Sequence, residues 1–186
     1  HSLHISMLDS TLLIFCSYLV GAIPSAYIIA RYKAGIDIRK YGSGNAGAAN
    51  VMIHIGKRTG YIVGAFDCLI KGSLPVLIGR LLDLPIAVQT YAGLAAILAH
   101  NWSPFLKLTG GRGVATAMGI VIGFFLWQEA LILTLVLGIV GRLIYKDTGF
   151  WTLVAMIGLT ILTLGFQRPP EIVTMTIGIG FILITK

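Results

Sequence analysis

Long apolar runs, broken by short polar stretches, make up most of the chain. Three of these runs contain no Asp, Glu, Lys or Arg, and they cover residues 10–30, 84–106 and 148–167. A helix needs roughly 20 consecutive apolar residues to cross a bilayer. A helix on the surface of a soluble domain would instead carry an apolar stripe with a period of 3.6 residues. The pattern therefore predicts a membrane-spanning helix in each run.

Three other segments are apolar but less uniform. Residues 59–79 contain two charged side chains, and residues 113–145 are too long for one span and are divided by Gln128–Glu129. Residues 172–185 form a short last candidate. Together these segments predict an all-α, polytopic membrane helix bundle of about seven transmembrane helices, or six if the fourth and fifth are misread.

We expect one integral membrane domain, covering residues 7–186. The first six residues, HSLHIS, do not resemble the start of a natural chain, whereas Met7 does. We therefore interpret residues 1–6 as a cloning or reading-frame remnant.

The basic residues predict how the bundle is oriented. The chain is 56% hydrophobic and 11% charged, with a net charge of +7, whereas a soluble domain carries about 25% charged residues. With the N-terminus outside, 11 of the 14 basic residues fall on one side, Arg80 and Arg168 fall on the other, and Lys71 lies within a span. This bias predicts that the basic side is cytoplasmic. Nucleic-acid binding is disfavoured because no basic patch interleaved with aromatic residues is present.

The stretch YGSGNAGAAN, residues 41–50, is a glycine-rich loop on the basic side. Gly42, Gly44 and Gly47 match the dinucleotide pattern G-x-G-x-x-G, but no βαβ unit can be built from the surrounding apolar runs, so we treat the match as a coincidence. Glycine turns that lead into a helix nevertheless present free backbone amides to anions. The alternative is a packing loop, because small residues also favour close helix contacts in membranes.

A second stretch, HNWSPFLKLTGGRGVATAMG, repeats this design on the same side, at residues 100–119. Its glycines flank Arg112, whose guanidinium can donate two hydrogen bonds to one phosphate. The spacing is not that of a Walker loop. Two such loops on one membrane face predict a site for two anions or one doubly anionic ligand. His100 is either a histidine bonded to backbone or a substrate donor or proton carrier.

Asp67 and Lys71 are four residues apart and share a helix face, where they can pair. Charged residues inside a membrane mark either function or a structural pair, so Lys71 is a brace near the site or a substrate contact. Cys16 and Cys68 lie in apolar segments and indicate neither a disulfide framework nor a metal site.

Four stretches, in order and spacing, resemble the bacterial membrane-integral glycerol-3-phosphate acyltransferases that depend on acyl phosphate. They are YLVGAIPSAYIIAR, DIRKYGSGNAGAANV with GKRTG, FDCLIKG, and AHNWSPF with GGRGVATAMG. The resemblance covers nearly the whole chain. It implies seven spans in the bacterial inner (cell) membrane, with the motif loops on the cytoplasmic face.

The implied reaction transfers the acyl group of a long-chain acyl phosphate to the 1-hydroxyl of glycerol 3-phosphate, giving lysophosphatidate and phosphate for phospholipid biosynthesis. The resemblance implies no metal, no other cofactor and no partners besides the two substrates and membrane lipids. The His-x-x-x-x-Asp motif of soluble-headed acyltransferases is absent, since Phe105 stands where the aspartate would be.

The resemblance assigns the site residue by residue. The catalytic residues are expected to be His100, Ser43 and Arg112. Substrate binding is expected from Gly42, Ser43, Gly44, Asn45, Gly47, Asn50, Lys71, Gly110, Gly111, Arg112 and Gly113.

Several positions depart from the family pattern. Arg112 stands where the family has a lysine, Ala49 where it has a threonine, and Ile53 where it has an arginine. One phosphate contact is therefore missing unless His54 or Arg58 supplies it. The family's third motif, a His-Arg-Glu-Asn-like run after the last span, has no counterpart in this chain, which indicates truncation or divergence and favours truncation. The alternatives to an acyltransferase are an organophosphate or anion transporter and an inactive paralogue.

Overall fold

A computed structural model describes residues 2–143 and 148–186, and its regular secondary structure in these ranges is helical. The α-helices are α1 (Ser2–Ala22), α2 (Ser25–Ala34), α3 (Ala48–His54), α4 (Lys57–Phe66), α5 (Leu74–Leu81), α6 (Ile86–Asn101), α7 (Val114–Gly123), α8 (Trp127–Leu143), α9 (Thr148–Gly165) and α10 (Pro170–Ile184). A π-helix, Asp67–Ser73, joins α4 to α5, and short 3-10 helices, Ile38–Lys40 and Pro104–Leu106, lie in the loops. Each predicted segment corresponds to helical structure. The expected end of the fifth span at Tyr145, and the basic Lys146, lie outside the described residues.

In the part of the chain that the structure describes, two helical stretches are long and apolar enough to cross a membrane by themselves, Met7–Ala34 and Lys57–Leu81. The first contains the predicted run of residues 10–30 and has a break at Ile23 and Pro24, which separates α1 from α2. Proline has no backbone N–H and its ring crowds the preceding turn, so a helix breaks there. The break matters for the site, because α2 begins with a polar residue inside the bundle.

The fourth and fifth predicted spans are separate helices, as expected, but the boundary differs from the prediction. The turn lies at residues 124–126, and Gln128–Glu129 belongs to the first turn of α8. The turn contains Phe125 in the left-handed region, with φ 54°. With 10 residues, α7 is about 15 Å long, or roughly half of a hydrocarbon core of about 30 Å. It therefore lies within the bundle and does not span a bilayer by itself.

Glycine allows α7 to pack against the π-helix at backbone distance. A Cβ atom on Gly119 would overlap the carbonyl oxygen of Cys68, and one on Gly72 would overlap that of Thr116. Small residues at helix contacts permit such an approach in membrane bundles. This contact places the π-helix, with its charged residues, directly beside the helix that follows the second glycine loop.

An ion pair joins the first turn of α8 to the turn before α10. Arg168, in the turn before α10, donates from Nε and Nη2 to the carboxylate of Glu129 at 2.6 and 3.0 Å. The Glu129 side chain is fully buried. Arg80 lies over the ring of Phe125, in the turn between α7 and α8, 4.7 Å from its centroid. The two basic residues that the sequence placed apart from the others therefore lie at one end of the bundle.

Candidate functional site

The two glycine loops are in direct contact. The backbone N–H of Ala46 in the first loop donates to the carbonyl oxygen of Gly110 in the second at 3.1 Å. A Cβ atom on Gly47 would lie 3.9 Å from the Cα of Gly111. Both turns therefore lie at the same end of the bundle, close enough for their backbone amides to face one ligand or two adjacent ones.

Arg39 connects the two loops through its side chain. Its guanidinium pairs with Asp37 at 2.7 Å and donates to the carbonyl of Leu106 at 3.2 Å and the hydroxyl of Thr109 at 3.0 Å. The hydrogen bonds from Arg39 lower the pKa of Asp37 to about 2. In the sequence Arg39 lies just before the first glycine loop, and in the structure its donors hold the two loops together.

Asn50 holds the first glycine turn in shape. Its Nδ2 lies 2.9–3.0 Å from the carbonyl oxygens of Ile38, Tyr41 and Asn45, and the residue is 3% exposed. Ser43, by contrast, lies exposed at the tip of the turn, where its Oγ accepts a 3.4 Å hydrogen bond from the backbone N–H of Asn45. Ser43 is therefore accessible to a ligand, whereas the Asn50 amide nitrogen acts on the loop itself.

The position where the family pattern has an arginine is exposed. Ile53 is 76% exposed, whereas the ring of the next residue, His54, packs against Tyr41 at 5.9 Å. A Cβ atom on Gly42 would overlap Nε2 of His54 and would lie 2.6 Å from Oδ1 of Asn50. Gly42 has φ 52° and its Cα is crowded by both side chains, so glycine is required there. Of the two substitutes considered for the arginine, His54 is the one that contacts the turn.

The second glycine loop is folded against the end of α6. The N–H of Gly111 donates to the carbonyl of His100 at 3.2 Å. A Cβ atom on Gly110 would overlap the same carbonyl oxygen, and one on Gly111 would overlap Nε2 of the histidine ring. Gly113 has φ 75°, which favours glycine. Glycine at these positions lets the backbone reach the His100 ring, while the neighbouring Arg112 is exposed.

A buried polar cluster lies beneath this loop. Lys71 pairs with Asp67 at 2.7 Å, and Ser25 donates to the same carboxylate oxygen at 2.6 Å. The ammonium of Lys71 also lies 3.1 Å from the hydroxyl of Ser25 and 3.2 Å from Nδ1 of His100. Lys71 and Asp67 are each 1% exposed. The predicted pairing of Lys71 with Asp67 is confirmed, although the segment is a π-helix, a form that is common at functional sites.

The cluster selects the tautomer of His100. An ammonium group has donors and no acceptor, so Nδ1 of His100 accepts from Lys71. The proton of the neutral ring then lies on Nε2, the atom that faces Gly111. His100 therefore presents a hydrogen-bond donor toward the second loop.

Two residues of this region were given no role by sequence reasoning. Ser25 follows the helix break at Pro24, and a polar residue behind a proline inside an apolar run is the signal that could have found it. Asn101 is fully buried beside His100, and neither polar atom of its side chain has a hydrogen-bond partner in the described part of the chain. A Cβ atom on Gly113 would lie 2.5 Å from the Asn101 Oδ1, so this amide lies directly under the second loop.

The described ranges contain no group of three or more His, Cys, Asp and Glu residues arranged to hold a metal ion. The chemistry that the site offers consists of backbone amides, the hydroxyl of Ser43, the Nε2 donor of His100 and the exposed guanidinium of Arg112. Such groups bind and polarise phosphate and acyl oxygens.

Comparison with known proteins gives consistent matches. The family model described as glycerol-3-phosphate acyltransferase matches residues 11–186. A glycerol-3-phosphate acyltransferase of Geobacter sulfurreducens is 38% identical over 180 residues, which are 97% of this chain and 91% of that protein. Glycerol-3-phosphate acyltransferase 5 of Dehalococcoides mccartyi is 50% identical over 105 residues, but this match spans 56% of the chain and only 45% of that relative's length.

Two solved structures share the fold. Crystal structures of PlsY, an integral membrane glycerol 3-phosphate acyltransferase, in its glycerol 3-phosphate form and its lysophosphatidic acid form, superpose with TM-scores of 0.85 and 0.83. Sequence identity is 34%, and the matches cover 95% of this chain and 87% of each PlsY chain. The prediction of an all-α membrane helix bundle is confirmed by this likeness.

Proposed function

This chain belongs to the glycerol-3-phosphate acyltransferase family, and on that premise we propose that it transfers an acyl group from a long-chain acyl phosphate to the 1-hydroxyl of glycerol 3-phosphate. The products are lysophosphatidate and inorganic phosphate, and the step serves phospholipid synthesis in the cell membrane. The observation that supports the proposal is the hydrogen bond between Ala46 and Gly110, because it brings the two glycine turns together. We further propose that these loops face the cytoplasm.

Catalysis in this proposal rests mainly on placing two phosphate-bearing substrates side by side. An acyl phosphate is already activated, so holding the acceptor hydroxyl against its carbonyl supplies most of what the reaction needs. Ser43 and the first turn bind glycerol 3-phosphate, with Asn50 holding that turn in shape. Arg112 and the amides of the second turn bind phosphate and stabilise the negative charge that develops.

We propose that His100 is a hydrogen-bond donor and that an oxygen of the leaving phosphate accepts the hydroxyl proton. The 3.2 Å contact with Lys71 supports this assignment, because it occupies Nδ1 and leaves the proton on Nε2. The acceptor oxygen forms a bond to the acyl carbon, the carbon–oxygen bond to phosphate breaks, and the proton leaves with the phosphate. His100→Gln keeps a donor and loses the base, so we expect it to retain more activity than His100→Phe. Equal inactivity of both variants would indicate that His100 is the base.

The activity is tested with the purified chain in proteoliposomes, palmitoyl phosphate and glycerol 3-phosphate. We expect lysophosphatidate and inorganic phosphate in equal amounts, and no acylation of glycerol, which lacks the phosphate. Absence of both products would reject the proposal, and uptake of glycerol 3-phosphate without acyl transfer would favour a transporter.

Ser43→Ala tests the acceptor site. A hydrogen bond to a charged group contributes about 1.5–3 kcal/mol, so we expect the KM for glycerol 3-phosphate to rise by about tenfold or more. Thr174→Ala is the matched control, because Thr174 is exposed near the start of α10 and donates only to carbonyls of its own helix turn. An unchanged KM in Ser43→Ala would remove Ser43 from the site.

A further inference from the structure

A tight hairpin, residues 103–109, leads from the end of α6 toward the second glycine loop. Ser103 and Thr109 pair across its base as an isolated antiparallel bridge, and the N–H of Leu108 donates to the carbonyl of Ser103 at 2.9 Å. Phe105 is 62% exposed and Leu108 is 61% exposed, whereas Leu106 between them is buried. The hairpin is therefore fixed at its base and presents two apolar side chains to its surroundings.

The backbone of this hairpin is unusual for the residues that it contains. Lys107 and Leu108 both have left-handed conformations, with φ 56° and φ 61°. Glycine adopts such conformations without strain, whereas residues with a Cβ atom do so at a cost in conformational energy. Strained backbone is concentrated at functional positions. An exposed leucine at such a position indicates that this surface contacts something outside the chain.

The long helical stretch Met7–Ala34 gives a scale for depth in the membrane. It contains 28 residues, whereas about 20 residues suffice to cross the hydrocarbon core. Counted from Ser10, the first residue after the charged Asp9, a core of about 20 residues ends near residue 29. Arg31 and Lys33 follow in the last turn of α2. The boundary between hydrocarbon and headgroups therefore lies along α2.

The hairpin packs beside this boundary. The hydroxyl of Ser103 donates to the carbonyl of Ala22 at 2.6 Å. Leu106 belongs to the same buried cluster as Ala26 and Ala30 of α2. Residues 103–109 therefore lie at the depth of residues 22–30, where an exposed apolar side chain can meet lipid.

We propose that the hairpin 103–109 is an interfacial anchor, in which Phe105 and Leu108 insert into the lipid surface and Lys107 reaches the phosphates of the lipid headgroups. Phenylalanine and leucine are typical of the apolar side of interfacial segments, and lysine is typical of their polar side. Lys107 is exposed and belongs to none of the ion pairs among the described residues, so its charge complements an anionic bilayer surface. This inference does not depend on the proposed acyl transfer.

The anchor fixes the depth of the second glycine loop. Thr109, at the base of the hairpin, is followed directly by Gly110. The guanidinium of Arg39 bonds to the carbonyl of Leu106 and to the hydroxyl of Thr109, so the first loop is tied to the same hairpin. A ligand that diffuses within the membrane arrives at a constant depth, and the anchor holds the loop at that depth.

Depth is measured with nitroxide spin labels in nanodiscs that contain phosphatidylglycerol. Labels are attached through Phe105→Cys, Lys107→Cys or Leu108→Cys after both native cysteines have been replaced with alanine. Dissolved oxygen concentrates in lipid, whereas a nickel chelate stays in water. We expect oxygen to reach the labels at 105 and 108 preferentially, as it should reach a label on the native Cys16, which is exposed in α1. The chelate should preferentially reach the labels of Lys107→Cys and of Lys40→Cys, the aqueous reference.

Two results would overturn the anchor. Labels at 105 and 108 that behave like the label at 40 would place the hairpin in water. Labels that neither reagent reaches would show that protein, from a partner or a second copy, covers this surface instead of lipid.

A second measurement needs no label. Phe105→Trp keeps an aromatic side chain, and its fluorescence is compared with that of the parent, which contributes Trp102, Trp127 and Trp151. In lipids brominated on their acyl chains, we expect the added tryptophan to be quenched more strongly than that of Lys40→Trp. Equal quenching would contradict insertion into lipid.

The link between the anchor and the second loop is tested by amide hydrogen exchange in the same nanodiscs. Phe105→Ser/Leu108→Ser removes both apolar side chains, and we expect exchange to become faster at residues 109–113. Lys40→Ser is the control and should leave exchange there unchanged. Unchanged exchange in the double variant would show that the hairpin does not hold the loop.

Discussion

Replacing Lys71 with methionine separates the structural role of the buried cluster from its role in the reaction. The ammonium of Lys71 is 1% exposed and contacts the carboxylate of Asp67, the hydroxyl of Ser25 and the ring of His100. Methionine has a similar length and no charge, so it fills the space but leaves the carboxylate with the Ser25 hydroxyl as its hydrogen-bond donor and with Nδ1 of His100 4.0 Å away.

The expected magnitude follows from the geometry. At 2.7 Å, two unit charges attract by about 6 kcal/mol with an effective dielectric constant of 20. Desolvation of both ions offsets most of this attraction, so the intact pair contributes little net stability. Removing one partner is different, because it leaves an uncompensated buried charge and typically destabilises a protein by about 3–5 kcal/mol. We expect Lys71→Met to lower the free energy of unfolding by that amount.

Unfolding is measured by titrating SDS into detergent-solubilised protein, with acyl transfer assayed in parallel. The double variant Asp67→Asn/Lys71→Met contains no buried charge at the pair, and its amide can still accept from Ser25. We therefore expect it to recover at least half of the lost stability. Its activity should remain low, because Nδ1 of His100 no longer has the donor that fixes the tautomer. A double variant that is no more stable than Lys71→Met would refute the ion-pair reasoning, and full activity in either variant would refute the role of Lys71 in positioning His100.

Three further predictions concern the loops. Asn50→Ala should destabilise the chain by about 2 kcal/mol, because an amide NH₂ makes two hydrogen bonds worth about 1 kcal/mol each. Amide hydrogen exchange should rise first at residues 41–47, and unchanged exchange there would contradict the proposal that Asn50 holds the turn in shape. Gly111→Ala should abolish acyl transfer because its Cβ would overlap the ring of His100, whereas Gly165→Ala, with no atom within 4 Å, should be fully active. Because Arg39 lowers the pKa of Asp37 to about 2, that pair stabilises the fold above about pH 4 and is lost as the pH falls toward 2. Asp37→Asn should remove about 1 kcal/mol of this acid dependence, given the partial exposure of the pair, and an unfolding profile from pH 5 to 2 identical to that of the parent would contradict it.

The helices and their order could be predicted from hydropathy because a bilayer imposes a length on each apolar run. Helix boundaries were less predictable where a contact with a distant residue decides them. The division of residues 113–145 was assigned to Gln128–Glu129 because polar residues usually mark a turn, yet Glu129 is buried in α8 by its pair with Arg168. A partner 39 residues away cannot be seen in local sequence.

The glycine turns were predictable as a pair, but the use of the surrounding charges was not. A sequence shows that Arg39 is near the first loop, and only the fold shows that its guanidinium contacts Leu106 and Thr109 of the second. Lys186 is the opposite case, a cation that the sequence places far from both loops and the fold brings next to one. In the sequence it is one basic residue among those that orient the bundle, and in the structure it returns to the second loop over Trp102.

These contacts suggest why the site uses few free cations. A cation that also holds the fold, such as Arg39 or Lys71, already has a carboxylate at 2.7 Å and would have to exchange it for phosphate. Arg112 and Lys186 have no such partner in the described ranges, so a phosphate can approach them without breaking an ion pair. In the proposed function, the acceptor meets neutral donors in the first turn, from which it can leave as a product without separating opposite charges. In that arrangement the exposed guanidinium of Arg112 would bind one phosphate by charge, whereas the first turn would bind the other by hydrogen bonds.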